Sequence, residues 1–374
     1  MSSLFKAWKT RRWHGRLARG FGGAWARRPC HVLAAALTLA LLALPAAADA
    51  PNDHFYPVSW HHQQINSEAA WAINGGSRSV VVAVIDTAVD ANHPDLAGHI
   101  VPGWNFPNNN DNTSPIAYHG TSVAGVIAAT RNNGIGVAGI ADVSIMPIIA
   151  SDDPTGMSDL DAAIGIRWAA DHGAKVINIS AGLAQGIRFH DAASYAWNQG
   201  SMVVVATPNE DGPGTQTAWS DVITVSASDR DDNRYNSQFG NFLDLLAPGQ
   251  DIYTTYWDPA GQYQYAIGQG SSFAAPMVSA AAALIWSINP ELSPMQVRDI
   301  LYSTAHDLNT PGRDYETGWG RLDVGAAAAA AEASVPEPGV VGTIIIGLVV
   351  VELRRRRRGH VGCASAHLRA LMVC

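Results

Sequence analysis

Between residues 49 and 334, short unbroken apolar runs alternate with longer stretches in which apolar positions recur every three or four residues. The runs at 80–85, 144–149, 176–179, 202–206 and 222–226 are dominated by Val and Ile. They are too short for helices and read as strands covered on both faces. The stretches at 119–129, 160–172, 191–199, 272–288 and 294–303 predict helices, and the alanine run at 326–331 predicts a terminal one. Strands alternating with helices predict a mainly parallel central sheet in a three-layer α/β/α architecture. Ligands of such sheets gather beyond the carboxyl ends of the strands, so chemistry is sought in the residues that follow each run.

The two ends follow other patterns. Residues 1–48 carry eight Lys or Arg and no acid, then an apolar run at 32–44, then Ala46, Ala47 and Ala48. A basic start, an apolar stretch of that length and small residues predict a secretory signal peptide cleaved after Ala48 by signal peptidase. At the other end Val335-Pro336-Glu337-Pro338 precedes an apolar run at 339–351 and five arginines, Arg354 to Arg358. That order resembles the PEP-CTERM sorting signal, and the resemblance implies an exosortase as partner. Cytoplasmic arginines would hold that end while the segment crosses the membrane. Residues 335–358 are thus a sorting or anchor segment and 359–374 an extension atypical of such signals, leaving 49–334 as one domain.

Setting the ends aside changes the charge. The whole chain is at −8, but 14 of its 24 Lys and Arg lie before Asp49 or after Pro338, against one of its 32 acids. The middle therefore carries 10 positive and 31 negative charges, about −21. So acidic a domain excludes nucleic acid as a partner. Cys30, Cys363 and Cys374 all fall in the end segments, so neither a disulfide nor a thiolate nucleophile belongs to the domain.

Three polar residues stand where the topology puts chemistry. Asp86 ends the run at 80–85; His119 opens His-Gly-Thr-Ser-Val-Ala-Gly; Ser272 lies in Gly270-Ser271-Ser272-Phe273-Ala274-Ala275-Pro276, at the start of an alanine-rich helix. Singly each has a plain reading: a turn residue, a structural histidine, a helix cap. Together, and in the order Asp, His, Ser, they resemble the subtilase family, peptidase S8. The resemblance extends from Trp60 to about Ala331 and includes Gln64 to Trp71 near the start and Gly318 to Asp323 near the end.

The resemblance implies a subtilisin-like fold and a serine endopeptidase acting on proteins or peptides, with Asp86, His119 and Ser272 as its triad. It makes Asn209, with the Ser272 amide, the oxyanion donor, and makes Ser180, Ala181 and Gly182 the edge that pairs with substrate backbone. Glu210, Ala181 and Trp219 fall where the family builds its specificity pocket. Glu210 is expected to attract Lys or Arg before the scissile bond, in a mainly apolar pocket that also admits large hydrophobic residues. The chemistry needs no cofactor. Structural calcium is the one ion implied, at a loop spanning Asn105 and Asp111, where asparagines replacing acids imply weak binding. Ala88, Tyr118, Pro208, Phe273 and Met277 depart from the family's usual residues, Pro208 in the pocket wall. The stretch between Asp49 and Trp60 leaves no room for a folding propeptide. Two other readings stay open: a catalytically degenerate subtilase fold that binds without cutting, and a structural component of an extracellular matrix.

Overall fold

The computed structural model describes residues 50–336, apart from 155, 183–185 and 263. The signal peptide read over 1–48, the sorting segment beyond Pro336 and the extension at 359–374 lie outside the described residues.

Seven strands form the central sheet: β1 (Val81–Ile85), β2 (Trp104–Asn105), β3 (Ser144–Ile149), β4 (Val176–Ile179), β5 (Met202–Ala206), β7 (Val222–Ser228) and β9 (Leu245–Pro248). All pairs are parallel, in the order β2-β3-β1-β4-β5-β7-β9. Two small pairs flank it, β6 (Gly212–Pro213) with β8 (Gln238–Phe239), and β10 (Ile252–Thr255) with β11 (Tyr265–Gly268).

The side-chain period of two divides each strand between two cores. Val82 and Val84 join one core with helices α3 (His119–Ala128), α6 (Ser271–Ile288), α7 (Pro294–Thr304) and α8 (Val324–Ala333). Ala83 and Ile85 join the other with α4 (Asp159–Asp171) and α5 (Ile187–Asn198). Two short helices, α1 (His61–Gln64) and α2 (Ser67–Ile73), precede the sheet. The three-layer α/β/α expectation holds.

Local signals explain some helix starts. Ser158 and Asp161 form a reciprocal capping box on α4, and Ser293 and Gln296 on α7, where Pro294 takes the first turn. Helix α5 begins at Ile187, four residues before the expected start at 191. Its first turn is held from outside: the Phe189 amide donates to Asp159 Oδ1 at 2.8 Å and the Phe189 ring is fully buried. Helix α6 is long and apolar enough to cross a membrane by composition, yet 89% of it is buried inside the fold.

Candidate active site

β1 ends beneath the start of α3, and the contact is close. A Cβ on Gly120 would come within 2.2 Å of the Ala88 carbonyl oxygen and 3.2 Å of the Asp86 Cβ, so only glycine fits there. Thr87 fixes the approach, its hydroxyl accepting the Gly120 amide at 3.0 Å and donating to the Ala117 carbonyl at 3.2 Å. The loop needs Ala88 at φ 69°, a conformation that strains a non-glycine residue.

This docking brings Asp86 and His119 together. His119 Nδ1 lies 2.9 Å from Asp86 Oδ2 and 3.0 Å from Oδ1. The carboxylate also accepts the Thr87 amide at 2.7 Å, and its side chain is 5% exposed. Burial alone would lower the imidazole pKa, but the charge of Asp86 and its hydrogen bond outweigh it and set the net shift upward. With Nδ1–H donated to Asp86, Nε2 is the nitrogen left to act as a base.

Ser272 is the second residue of α6, at the end where four helix amides lack intrahelical partners and the dipole is positive. Its backbone N–H has no hydrogen bond among the described residues. Next to it, the Phe273 ring meets the His119 ring edge-on at 6.0 Å, so the serine turn and the histidine lie side by side. No hydrogen bond joins Ser272 Oγ to His119, which is common before substrate binds.

Asn209 follows β5 and is fixed from the same helix turn. Its Oδ1 accepts the Ser271 amide and the Ser271 hydroxyl, both at 2.8 Å, leaving Nδ2 to donate. The Ser271 hydroxyl also lies 2.5 Å from the Thr207 carbonyl. No sequence motif singled out Ser271, although it sits beside the candidate nucleophile. An acid–base pair, a hydroxyl and two hydrogen-bond donors are the parts that acyl transfer requires.

The subtilase family profile matches residues 77–320, a span that holds every one of these groups. The chain belongs to the subtilase family. It is 37% identical over 274 residues to thermitase of Thermoactinomyces vulgaris, matching 72% of this chain and 96% of thermitase. It is 36% identical over 278 residues to a thermophilic serine proteinase of Bacillus sp. strain AK1, matching 73% of this chain and 68% of the relative. Among solved structures it resembles fervidolysin from Fervidobacterium pennivorans, described as a keratinolytic enzyme related to subtilisin. That match has a TM-score of 0.66 at 30% identity and covers 76% of this chain and 47% of fervidolysin.

Of the remaining expected positions of this subtilase, 180–182 and 210 follow β4 and β5, whereas Trp219 precedes β7. Ser180 is buried after β4, its hydroxyl accepting Asn178 Nδ2 at 2.9 Å; Asn178 in turn accepts Ser279 Oγ of α6 at 2.8 Å. Ala181 and Gly182 follow, with Gly182 against Pro208. Glu210 is exposed and accepts Gln238 Nε2 at 3.2 Å. Trp219 stacks on His190 of α5 at 3.6 Å, packed on the α4–α5 core.

Among the described residues no three His, Cys, Asp or Glu side chains form a metal cluster. In the loop read as a calcium site, Asn105 Nδ2 donates to the Asn112 carbonyl at 3.0 Å and its Oδ1 accepts the Asn108 amide at 3.1 Å. Those groups hold the loop itself. Asp53 and Asp95 are the carboxylate alternative, and of their oxygens only Asp53 Oδ1 is buried without a partner. Both are buried beside residues 132–137, where Asp95 accepts Asn133 Nδ2 at 2.6 Å and the Val137 amide at 3.0 Å. Asp53 accepts the Asn132 amide at 2.8 Å and has its other oxygen, Oδ1, buried without a partner. Sequence reasoning missed this pair because its carboxylates stand 42 residues apart, joined only by the fold.

Proposed function

We propose that this subtilase is an exported serine endopeptidase that hydrolyses peptide bonds through Asp86, His119 and Ser272. The observation that carries the reading is the Asp86 carboxylate on His119 Nδ1, 2.9 Å away, beside the first turn of the serine helix. His119 Nε2 takes the Ser272 proton as Oγ attacks the scissile carbonyl, and Asp86 stabilises the imidazolium that forms. The carbonyl oxygen, now negative, receives the Ser272 amide and Asn209 Nδ2. Collapse of the tetrahedral adduct breaks the C–N bond while His119 returns its proton to the leaving amine. Water then repeats the sequence on the acyl-enzyme. The substrate backbone pairs with residues 180–182. Calcium held at the buried Asp53 carboxylate would stabilise the fold and take no part in the reaction.

A fluorophosphonate probe tests the central claim: it should label wild type and not Ser272→Ala. Peptide hydrolysis should fall by about 10⁶ in Ser272→Ala or His119→Ala, since the triad acts as a unit. Near-normal proteolysis by a clean Ser272→Ala preparation would sink the reading. Export and exosortase sorting rest on the two end segments. Protein from its host should lack Arg354 to Arg358 and end near Pro338 by mass spectrometry; an intact tail on membrane-bound protein would indicate a plain anchor instead.

A further inference from the structure

The groups already described fix where the acyl half of a substrate lies. Its carbonyl carbon meets Ser272 Oγ, its oxygen faces Asn209, and its leaving nitrogen faces His119. The side chain preceding the scissile bond must then point away from His119, toward the ends of β4 and β5. Those ends carry residues 180–182 and 207–209, and β4 and β5 are paired up to Ile179 and Val205.

Past that register the two segments close on each other. A Cβ built on Gly182 would lie 2.6 Å from Pro208 Cα, 2.8 Å from its nitrogen and 3.1 Å from its Cγ. Allowing about 1.5 Å for the C–C bond, the two Cα atoms are at most about 4.1 Å apart, closer than the ~4.8 Å between paired strands. A carbon seated between them needs about 3.5–4.0 Å on either side, roughly twice the space present. Pro208 does not swing aside. Its ring fixes φ, and its carbonyl accepts the Gln238 amide of β8 at 3.1 Å. Cavities of about 460 Å³ beside Trp104 and Trp168, and about 390 Å³ beside Trp60 and His62, lie away from these strand ends.

We infer that Pro208, packed on Gly182, closes the pocket for the residue preceding the scissile bond, so that this subtilase cuts after glycine or alanine and rejects large side chains. The inference rests on the endopeptidase reading and revises the expectation that large hydrophobic residues enter. A methyl group or a hydrogen needs no space between the segments, whereas a leucine or phenylalanine side chain has nowhere to go.

The test uses quenched peptides that differ only at that residue, given to protein whose active sites have been counted with the fluorophosphonate probe. For wild type, kcat/KM with Ala should exceed that with Leu or Phe at least tenfold. Pro208→Gly should raise the Phe-to-Ala ratio at least tenfold, because both values come from one preparation and partial misfolding cancels. Wild type that cuts after Phe or Leu as fast as after Ala overturns the inference. So does Pro208→Gly that labels normally yet keeps the wild-type ratio. A preference for Lys or Arg would put Glu210 in control and overturns it equally. Wild type that fails to label removes the endopeptidase reading and the inference together; labelling with the wrong preference removes the inference alone.

Discussion

Ser271 shows how much of a site depends on a residue that does no chemistry. Its amide points at Asn209 Oδ1 and its hydroxyl sits between that oxygen and the Thr207 carbonyl, so the orientation of Nδ2 is set by a neighbour of the proposed nucleophile. Asn209→Leu should lower kcat by 10²–10³, the usual loss for an oxyanion donor. Ser271→Ala keeps the amide contact and loses the hydroxyl, so a loss of about tenfold in kcat with KM little changed is expected. Steady-state kinetics on both variants checks this, and an unchanged kcat in Ser271→Ala would show that the backbone amide suffices. The raised His119 pKa has its own signature. Catalysis needs neutral imidazole, so kcat/KM should rise with pH through a value above the ordinary imidazole range. The three proposed triad residues could be found in the sequence because each stands next to a run of recognisable pattern. Ser271, Asp53 and Asp95 could not, since their roles depend on contacts between distant segments.

At the scale of elements, α3 carries the histidine and is held by small residues. Gly125 faces β10, where an added Cβ would meet Thr255 Oγ1 at 2.2 Å and Thr254 Oγ1 at 2.7 Å. Those hydroxyls donate to the Thr121 and Ser122 carbonyls, both at 2.6 Å, stitching strand to helix. Gly125→Val should therefore push the helix off β10, costing about 3 kcal/mol, and should lower kcat as His119 shifts. A urea titration with parallel kinetics measures both effects; a stable, fully active variant would contradict the account. The buried core strands were legible because continuous Val and Ile runs leave few alternatives. The short strands β9, β10 and β11 were not. Leu245-Leu246-Ala247-Pro248 ends in proline and spans four residues, a length that fits a loop as well as a strand. Its place at the sheet edge is set by partners such as Val225 and Leu322.

For the molecule as a whole, two buried ionisable groups set opposite responses to pH. His61 is buried with Nδ1 unpartnered, and burial pushes its pKa down to about 3. The unfolded chain takes up that proton near pH 6.5 and the folded chain only near 3, so His61 removes stability as pH falls through that window. Asp244 is the reverse case: burial raises its pKa to about 7, against the amide hydrogen bond from Thr224 and the charge of Arg313. Unfolding lets it ionise near its ordinary value, so it removes stability as pH rises from about 4 to about 7. His61→Leu should resist acid better than wild type at pH 4.5. Asp244→Asn should gain up to about 4 kcal/mol at pH 8 and less at pH 5. Urea midpoints at three pH values give the slopes, and parallel slopes for wild type and both variants would refute the assignment. Helix α6 has a different consequence. Because the proposed nucleophile begins a helix enclosed on nearly all sides, no partial opening of the surface releases Ser272 while the core survives. Heat should therefore leave turnover intact until the core melts and then abolish it in one step, with inactivation and loss of tertiary structure sharing a single midpoint.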